Sequence, residues 1–144
     1  MNRLTRETIV SAARGWVGTP YRHQASLNAI GCDCLGLVRG VWRDVIGPEP
    51  ESVPAYSPDW AEACGEDRLM AAALRWFSPL DNEDFSAGDI LLYRWREGLP
   101  AKHVGIATSA TTMIHAHDGA CVCEVTISLS WRRRLVRAFA FPGL

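Results

Sequence analysis

The sequence contains no apolar run of the roughly eighteen residues that a membrane-spanning helix needs. It has almost no excess of charge, since 15 basic and 16 acidic residues give a net charge of −1. No global field therefore steers the protein to nucleic acid or to anionic lipid. The first residues also lack the apolar core of a signal peptide. We expect a protein that is made in the cytoplasm, with no membrane span and no nucleic acid partner.

The cysteine pattern lacks the features of a disulfide framework and of a zinc site. Five cysteines are an odd number, and no secretory signal accompanies them. A single residue separates Cys32 from Cys34, and likewise Cys121 from Cys123. Structural zinc sites separate their cysteines by about two to four residues. We therefore predict no metal and no cofactor. Cys121 and Cys123 are expected on the apolar face of a strand, and Cys64 on a helix.

The order of the predicted elements indicates the fold class. The chain has 144 residues, 48% hydrophobic and 22% charged, values typical of a globular domain, and it shows no internal repeat or linker. Hydrophobic periodicity and capping residues predict helices at 5–18, 33–46 and 57–77. Strands are predicted at 90–93, 103–108, 112–117, 121–127 and 135–141. We expect one α+β domain over residues 1–144, with N-terminal helices packed on a C-terminal antiparallel β-sheet.

Cys34 is the candidate nucleophile. It lies where an irregular, glycine-rich stretch gives way to an apolar run with helical spacing. A thiol in the first turn of a helix feels unsatisfied N–H groups and the positive end of the dipole, which lower its pKa from about 8.5. The thiolate is the form that attacks carbonyls. Asp33 is expected to cap this helix, and Gly36 to allow close approach of the sheet.

Strand parity places two histidines on one face of the predicted sheet. If a symmetric loop centred on Ser109 joins the two strands, His103 lies directly opposite His115, with Cβ atoms about 5 Å apart. The same register pairs Val104 with Ile114 on the core side. The alternative is that two unrelated histidines occupy a half-exposed sheet face.

These residues form a pattern that suits nucleophilic catalysis. His103 would accept the thiol proton of Cys34, and His115 would orient the imidazole of His103. His117 shares the same strand face and is the rival candidate for the orienting role. The phenol of Tyr21 could donate to a developing oxyanion, beside the backbone N–H of Cys34. The sequence therefore predicts a cysteine hydrolase.

The chain has a single basic cluster, formed by Trp131-Arg132-Arg133-Arg134 together with Arg137. We interpret it as an exposed, solvated turn. The alternative is a surface that docks onto a larger assembly or an anionic polymer.

Five motifs follow one another along the chain: Gly18-Thr19-Pro20-Tyr21, Asp33-Cys34-Leu35-Gly36-Leu37-Val38, Gly88-Asp89-Ile90-Leu91, His103-Val104-Gly105-Ile106 and Ile114-His115-Ala116. Together they resemble the NlpC-type cell-wall peptidases, papain-like cysteine endopeptidases of bacterial peptidoglycan. The resemblance implies Cys34 as nucleophile, His103 as base and His115 as orienting residue, with Tyr21 lining the site. It also implies cleavage of the stem peptide, typically between γ-D-glutamyl and a diamino acid.

Two departures and one further similarity refine this expectation. His23-Gln24 and Leu35 stand where the family usually has a glycine pair and a serine, which concerns the substrate subsites more than the chemistry. Residues 21–24, the run over residues 34–42 and the segment Trp131-Arg132-Arg133-Arg134 resemble the phage-tail branch, including gene transfer agents. That similarity implies tail proteins as partners and delivery from the bacterial cytoplasm to a target cell envelope. An acyltransferase or amidase on the same scaffold, and a non-catalytic tail component, remain the alternatives.

Overall fold

The N-terminal part of the chain is helical and the C-terminal part forms a sheet in the computed structural model, which describes residues 3–51 and 68–144. The helices are α1 (Arg6–Arg14), α2 (Cys34–Val45), α3 (Arg68–Trp76) and α4 (Leu129–Arg134). The strands are β1 (Ser26–Leu27), β2 (Gly31–Cys32), β3 (Ser78–Leu80), β4 (Ile90–Tyr93), β5 (His103–Ala107), β6 (Thr112–His115), β7 (Cys123–Thr126) and β8 (Leu135–Ala140). Six of them form an antiparallel sheet in the order β3-β8-β4-β5-β6-β7. The α+β prediction is confirmed.

The first two helices begin at the residues that the capping pattern predicts. The Thr5 hydroxyl accepts a hydrogen bond from the Thr8 N–H at 3.1 Å, which satisfies one of the free donors of α1. The helix ends at Arg14 with Gly15 as its cap, so the prediction that it continues to Gly18 is wrong. Gly18 has φ +93° and donates its N–H to Val122 O at 2.8 Å, so it ties this turn to the sheet.

Two apolar clusters occupy the two faces of the sheet. On one face, α1 and α2 pack against the strands through fully buried Ile9, Leu37 and Ile106. Burial of each such side chain contributes about 2 kcal/mol. The opposite face packs around Tyr93 and Met113. Within the described ranges, no helix is long and apolar enough to cross a membrane.

The hydrophobic periodicity of the sequence does not predict several short helices and strands of the structure. The pair β1–β2, the edge strand β3 and the six-residue helix α4 are all too short to show a repeat of hydrophobic residues. Pro79 lies inside β3, and this is compatible with an edge strand, where one N–H is not needed for the ladder. The predicted third helix is seen as α3 over its last part, and its start at Ser57 lies outside the described residues, as does Cys64.

The register between β5 and β6 differs from the prediction by two residues. Ile106 pairs with Ile114, and Ala107 with Met113, so the turn is centred on Ala110. The predicted pairing of Val104 with Ile114 is therefore wrong, and so is the prediction that His103 lies directly opposite His115. Because side chains alternate with a period of two, a shift of two residues leaves every side chain on its expected face.

Gly36 allows a close approach, but to a loop and not to the sheet. A Cβ at this position would lie 1.9 Å from the carbonyl oxygen of Ala25. The Ser26 hydroxyl donates to Gly36 O at 2.6 Å and clamps the same loop onto the first turn of α2. The predicted reason for this glycine is thus wrong, because the loop before α2 fills the space.

We expect Gly36→Ala to destabilise the protein by about 3 kcal/mol or more, because the added methyl meets backbone that cannot rotate away. Urea denaturation monitored by tryptophan fluorescence measures this. Gly15→Ala is the matched control, since its Cβ would approach Ala12 O only to 3.2 Å at an ordinary φ of −65°. Equal stabilities of the two variants would contradict the assigned role of Gly36.

Candidate active site

Asp33 fixes the start of α2 and thereby the position of Cys34. Its Oδ1 accepts from the Gly36 N–H at 2.7 Å, as predicted for a helix cap. Its Oδ2 accepts from the Gln24 N–H, also at 2.7 Å, and so holds the preceding loop. Asp33 itself is only 2% exposed. One buried carboxylate therefore organises both segments that lead into the first turn, where Cys34 is the first helical residue.

The thiol of Cys34 is not acidic in this structure. Burial raises the pKa of Cys34 to about 12, and the neighbouring Asp33 carboxylate adds to the increase. The backbone N–H groups of Val104, Leu35 and Cys34 itself oppose this by favouring the thiolate, but they do not outweigh it. The prediction of a lowered pKa is therefore wrong. The contribution of Val104 places the sulfur at the beginning of β5, the strand whose first residue is His103.

His103 and His115 form the buried imidazole pair that was predicted. His103 Nε2 and His115 Nδ1 are 2.8 Å apart, and each residue is only 4% exposed. Burial is the main reason that the pKa of His103 is well below 6.5, and the nearby His115, His117 and Arg134 lower it further. Burial, followed by the charge of His117, lowers the pKa of His115 to about 4. Both rings are neutral at pH 7.

The hydrogen bond defines which nitrogen of His103 can act as a base. If His103 donates through Nε2–H to Nδ1 of His115, its own Nδ1 carries a lone pair. That lone pair can accept the proton of a thiol. This tautomer makes His115 an acceptor that carries its proton on Nε2.

His117 lies close to this pair without joining its hydrogen bond. Its ring centroid is 5.8 Å from that of His103, and its Nδ1 lies 3.2 Å from the backbone oxygen of Asp118. The side chain is exposed, because β6 ends at His115 and the chain turns away. Between the two candidates for the orienting role, only His115 is hydrogen-bonded to His103.

Tyr21 lies on the side of the site formed by the loop before α2. Its backbone pairs with Cys32 and bonds Ala120 O at 3.2 Å, so the loop is tied to two neighbouring segments. Burial raises the pKa of Tyr21 to about 12, with a further contribution from a thiolate at Cys34. The phenol is therefore a protonated hydrogen-bond donor at any pH at which an enzyme works.

Two tryptophans that the sequence did not single out as site residues cover the imidazole of His103. Trp95 stacks on it with a centroid distance of 5.6 Å, and Trp131 does so at 5.2 Å. Trp131 lies in the first turn of α4. The Ser128 hydroxyl caps this helix by accepting a hydrogen bond from the Trp131 N–H at 3.2 Å. The interpretation of this segment as a solvated turn is wrong for Trp131, which is only partly exposed. For Trp95, no signal in the sequence pointed to the site.

Cys121 and Cys123 differ in their surroundings. Cys123 lies on β7, on the face that also carries Val125, while Cys121 is exposed beyond the strand. The expectation of a shared apolar face therefore holds only for Cys123. Among residues 3–51 and 68–144, no three His, Cys, Asp or Glu side chains converge in a geometry that holds a metal ion.

We expect the stability of the protein to fall as the pH is lowered from about 6.5 towards 4. The folded pKa of His115 is depressed, so its stabilising contribution is complete above the unfolded value of about 6.5 and is lost as the pH falls to the folded value. For this residue, the free energy of unfolding should fall by about 3 kcal/mol over the whole interval. Urea denaturation between pH 7.5 and pH 4 would measure it.

The matched control for this measurement is His115→Gln, which keeps a polar side chain without the titrating ring. Its stability should depend less on pH over the same interval than that of the wild type. Parallel pH dependences of the two proteins would show that His115 is not held neutral by burial.

Comparison with solved structures identifies the architecture as a papain-like α+β domain. The NlpC/p60 domain of the peptidoglycan hydrolase SagA is similar, with a TM-score of 0.65, 22% identity, and coverage of 96% of this chain and 100% of that one. An NlpC/P60 family protein from Bacillus cereus gives a TM-score of 0.71 at 16% identity, covering 97% of this chain and 41% of its own. A Staphylococcus aureus protein of the same family, described as similar to a lipoprotein, gives a TM-score of 0.63 at 20% identity. The match covers 97% of this chain and 43% of that protein.

The sequence comparison assigns the family. Residues 18–140 match the NlpC/P60 family, so the chain belongs to it. The matched range includes Tyr21, Cys34, His103 and His115. The chain spans the whole of the SagA domain but less than half of the Bacillus and Staphylococcus proteins. Comparison with curated proteins gives no significant match.

Proposed function

We propose that the protein is a cysteine endopeptidase that hydrolyses peptidoglycan stem peptides, at the bond between γ-D-glutamyl and a diamino acid. The observation that carries the proposal is that Cys34, at the start of α2, lies against the beginning of β5, where the first residue, His103, is joined to His115 at 2.8 Å. The similarity to the SagA domain, which is described as part of a peptidoglycan hydrolase, supports this class of substrate.

The proposed mechanism begins from neutral groups. As the Cys34 sulfur attacks the scissile carbonyl, its proton passes to His103 Nδ1, and the positive charge formed is stabilised through the hydrogen bond to His115. The Tyr21 phenol and the Cys34 backbone N–H are the donors available to the oxyanion. His103 then returns the proton to the leaving amine, and the acyl-enzyme is hydrolysed by water that His103 activates.

Digestion of purified muropeptides by wild type and by Cys34→Ala, followed by mass spectrometry, tests this proposal. We expect wild type to release a fragment that ends in γ-D-glutamate and a second fragment with a new free amine, and Cys34→Ala to release neither. Transfer of the acyl group to an added amine, without net hydrolysis, would identify an acyltransferase. An unchanged mixture with a correctly folded wild type would indicate a non-catalytic component.

We also propose that the enzyme is carried on a phage-like tail to the target cell envelope. The resemblance of residues 21–24, 34–42 and 131–134 to the phage-tail branch supports this, together with the exposed side chains of Arg132, Arg133 and Arg137. A tethered enzyme reaches its substrate at a high local concentration without any change in its site. The protein should co-purify with assembled particles, and its recovery only in the free cytosolic fraction would reject the proposal.

A further inference from the structure

Arg134 places a positive charge one aromatic ring away from the base. Its guanidinium carbon lies 4.3 Å from the ring centroid of Trp131 and 5.8 Å from that of Trp95. Both of these rings stack on the imidazole of His103, at 5.2 Å and 5.6 Å. The guanidinium, the two indoles and the base therefore form one contiguous wall of the site.

The side chain of Arg134 is held in this position by its own helix. Nε donates to Ser130 O at 3.2 Å, and Nη2 donates to Ser130 Oγ at 3.0 Å. These two bonds and the ring faces leave the donors of Nη1 for another partner. A guanidinium that is held by neutral groups keeps its full charge for a ligand.

Within residues 3–51 and 68–144, Arg134 forms no ion pair, although it is only partly exposed. Other arginines of the same part of the chain do pair, such as Arg6 with Asp89 at 2.8 Å and Arg14 with Glu124 at 3.1 Å. A partly buried guanidinium is most stable with a carboxylate, because its donors match the two carboxylate oxygens. Among the described residues, the structure therefore leaves a partly exposed guanidinium without a carboxylate partner, one indole ring away from His103.

The charge of Arg134 also acts on the base itself. It is one of the groups that lower the pKa of His103, after burial and the two other histidines. When His103 takes up the thiol proton, the imidazolium and the guanidinium repel each other across the indole rings. A carboxylate seated on Arg134 would cancel that repulsion, so binding of an acidic substrate and proton transfer would favour each other.

We propose that Arg134 is a specificity-determining residue that binds a carboxylate of the substrate adjacent to the scissile bond. The inference rests on the proposed function, in which the substrate offers two such groups. One is the free α-carboxylate of the γ-linked D-glutamyl residue, on the acyl side. The other is the carboxylate of the amino acid that leaves as the amine.

The test uses three synthetic peptides of the sequence alanyl-γ-D-glutamyl-diamino acid: one with both carboxylates free, one amidated on the D-glutamyl residue and one amidated on the diamino acid. We expect wild type to cleave one of the two amides with a kcat/KM about 10- to 100-fold below that of the free acid. Arg134→Gln should lower kcat/KM for the free acid by a similar factor and remove its advantage over that amide. In Arg134→Gln, this amide should be cleaved with the same kcat/KM as the free acid. The carboxylate that is blocked in this amide is then the one that Arg134 binds.

Arg133→Gln is the matched control, because Arg133 is an exposed arginine of the same helix, and it should behave as wild type. Arg134→Lys should retain part of the preference for the free acid, since the charge is kept and the fork-shaped geometry is lost. Equal loss of kcat/KM on all three peptides in Arg134→Gln would overturn the proposal, because a merely structural role has that effect. Equal cleavage of all three peptides by wild type would overturn it as well.

A binding measurement separates this proposal from the proposed function. Isothermal titration of Cys34→Ala with the free acid and with each amide requires no turnover. Tighter binding of the free acid, lost in the double variant with Arg134→Gln, would support the role of Arg134 even if wild type hydrolysed none of the peptides. Equal affinity for acid and amides, or no binding of any of them, would overturn it whether or not hydrolysis occurs.

Discussion

Replacement of His103 by alanine is expected to lower kcat/KM on muropeptides by about 10³- to 10⁴-fold, because it removes the base that takes the proton of Cys34 in the proposed mechanism. His115→Ala should leave a residual rate about 10- to 100-fold above that of His103→Ala, since a misoriented base still accepts protons. His117→Ala should be nearly neutral, because its side chain is exposed and is not hydrogen-bonded to His103. Initial rates on a purified muropeptide, with thermal denaturation to check folding, give the three values.

The order of the three variants is the informative result. A larger loss for His117→Ala than for His115→Ala would mean that the orienting residue has been misassigned and that the 2.8 Å contact is only structural. Equal losses for His103→Ala and His115→Ala would mean that the two rings act as one proton-transfer unit. A fully active His103→Ala would remove the base from the mechanism.

The faces of the strands could be predicted from the sequence, whereas their register could not. Side-chain parity depends only on whether two residues are separated by an even or an odd number of positions. It placed His103 and His115 on one side of the sheet and Val104 on the other, as the structure has them. The register depends on the turn, and the sequence offered no rule to choose between centres at Ser109 and Ala110.

The wall of the site could not be predicted, because it is formed by contacts between residues distant in sequence. The run Trp131-Arg132-Arg133-Arg134 has the composition of a solvated surface, and nothing local shows that two of its four side chains, Trp131 and Arg134, turn towards the site. The contact of Trp131 with His103 requires α4 to fold back over the start of β5. Trp95 lies in a loop whose position is set by β4 and by its neighbours across the sheet.

The acidity of Cys34 was mispredicted for a related reason. The helix N-terminus is a local feature that sequence shows, and its N–H groups do favour the thiolate. Burial is a property of the whole fold, and the carboxylate that caps the helix is also the negative charge next to the sulfur. The residue that positions the nucleophile therefore also makes it a weaker acid.

This balance predicts how Cys34 reacts in the absence of substrate. With a raised thiol pKa and a neutral His103, the resting protein carries a thiol and an imidazole, not a thiolate–imidazolium pair. Its alkylation by iodoacetamide should therefore rise about tenfold per pH unit from pH 7 to pH 9 and continue to rise above it. Free cysteine, whose pKa is about 8.5, should approach its plateau within that range. Peptide mapping by mass spectrometry follows Cys34 separately from the other cysteines.

The opposite outcome has an equally clear meaning. An alkylation rate that is already constant between pH 6 and pH 8 would show a preformed ion pair, and the burial of Cys34 would then be outweighed by the base and by the N–H groups of α2. Cys34→Ala supplies the reference in both cases, since it should lose both the labelled peptide and all hydrolysis. Because a preformed ion pair needs a protonated His103, the same result would also contradict the depressed pKa of that histidine. A rate that rises with pH would instead place the proton transfer in the complex with substrate, where a carboxylate on Arg134 would help His103 to accept the charge.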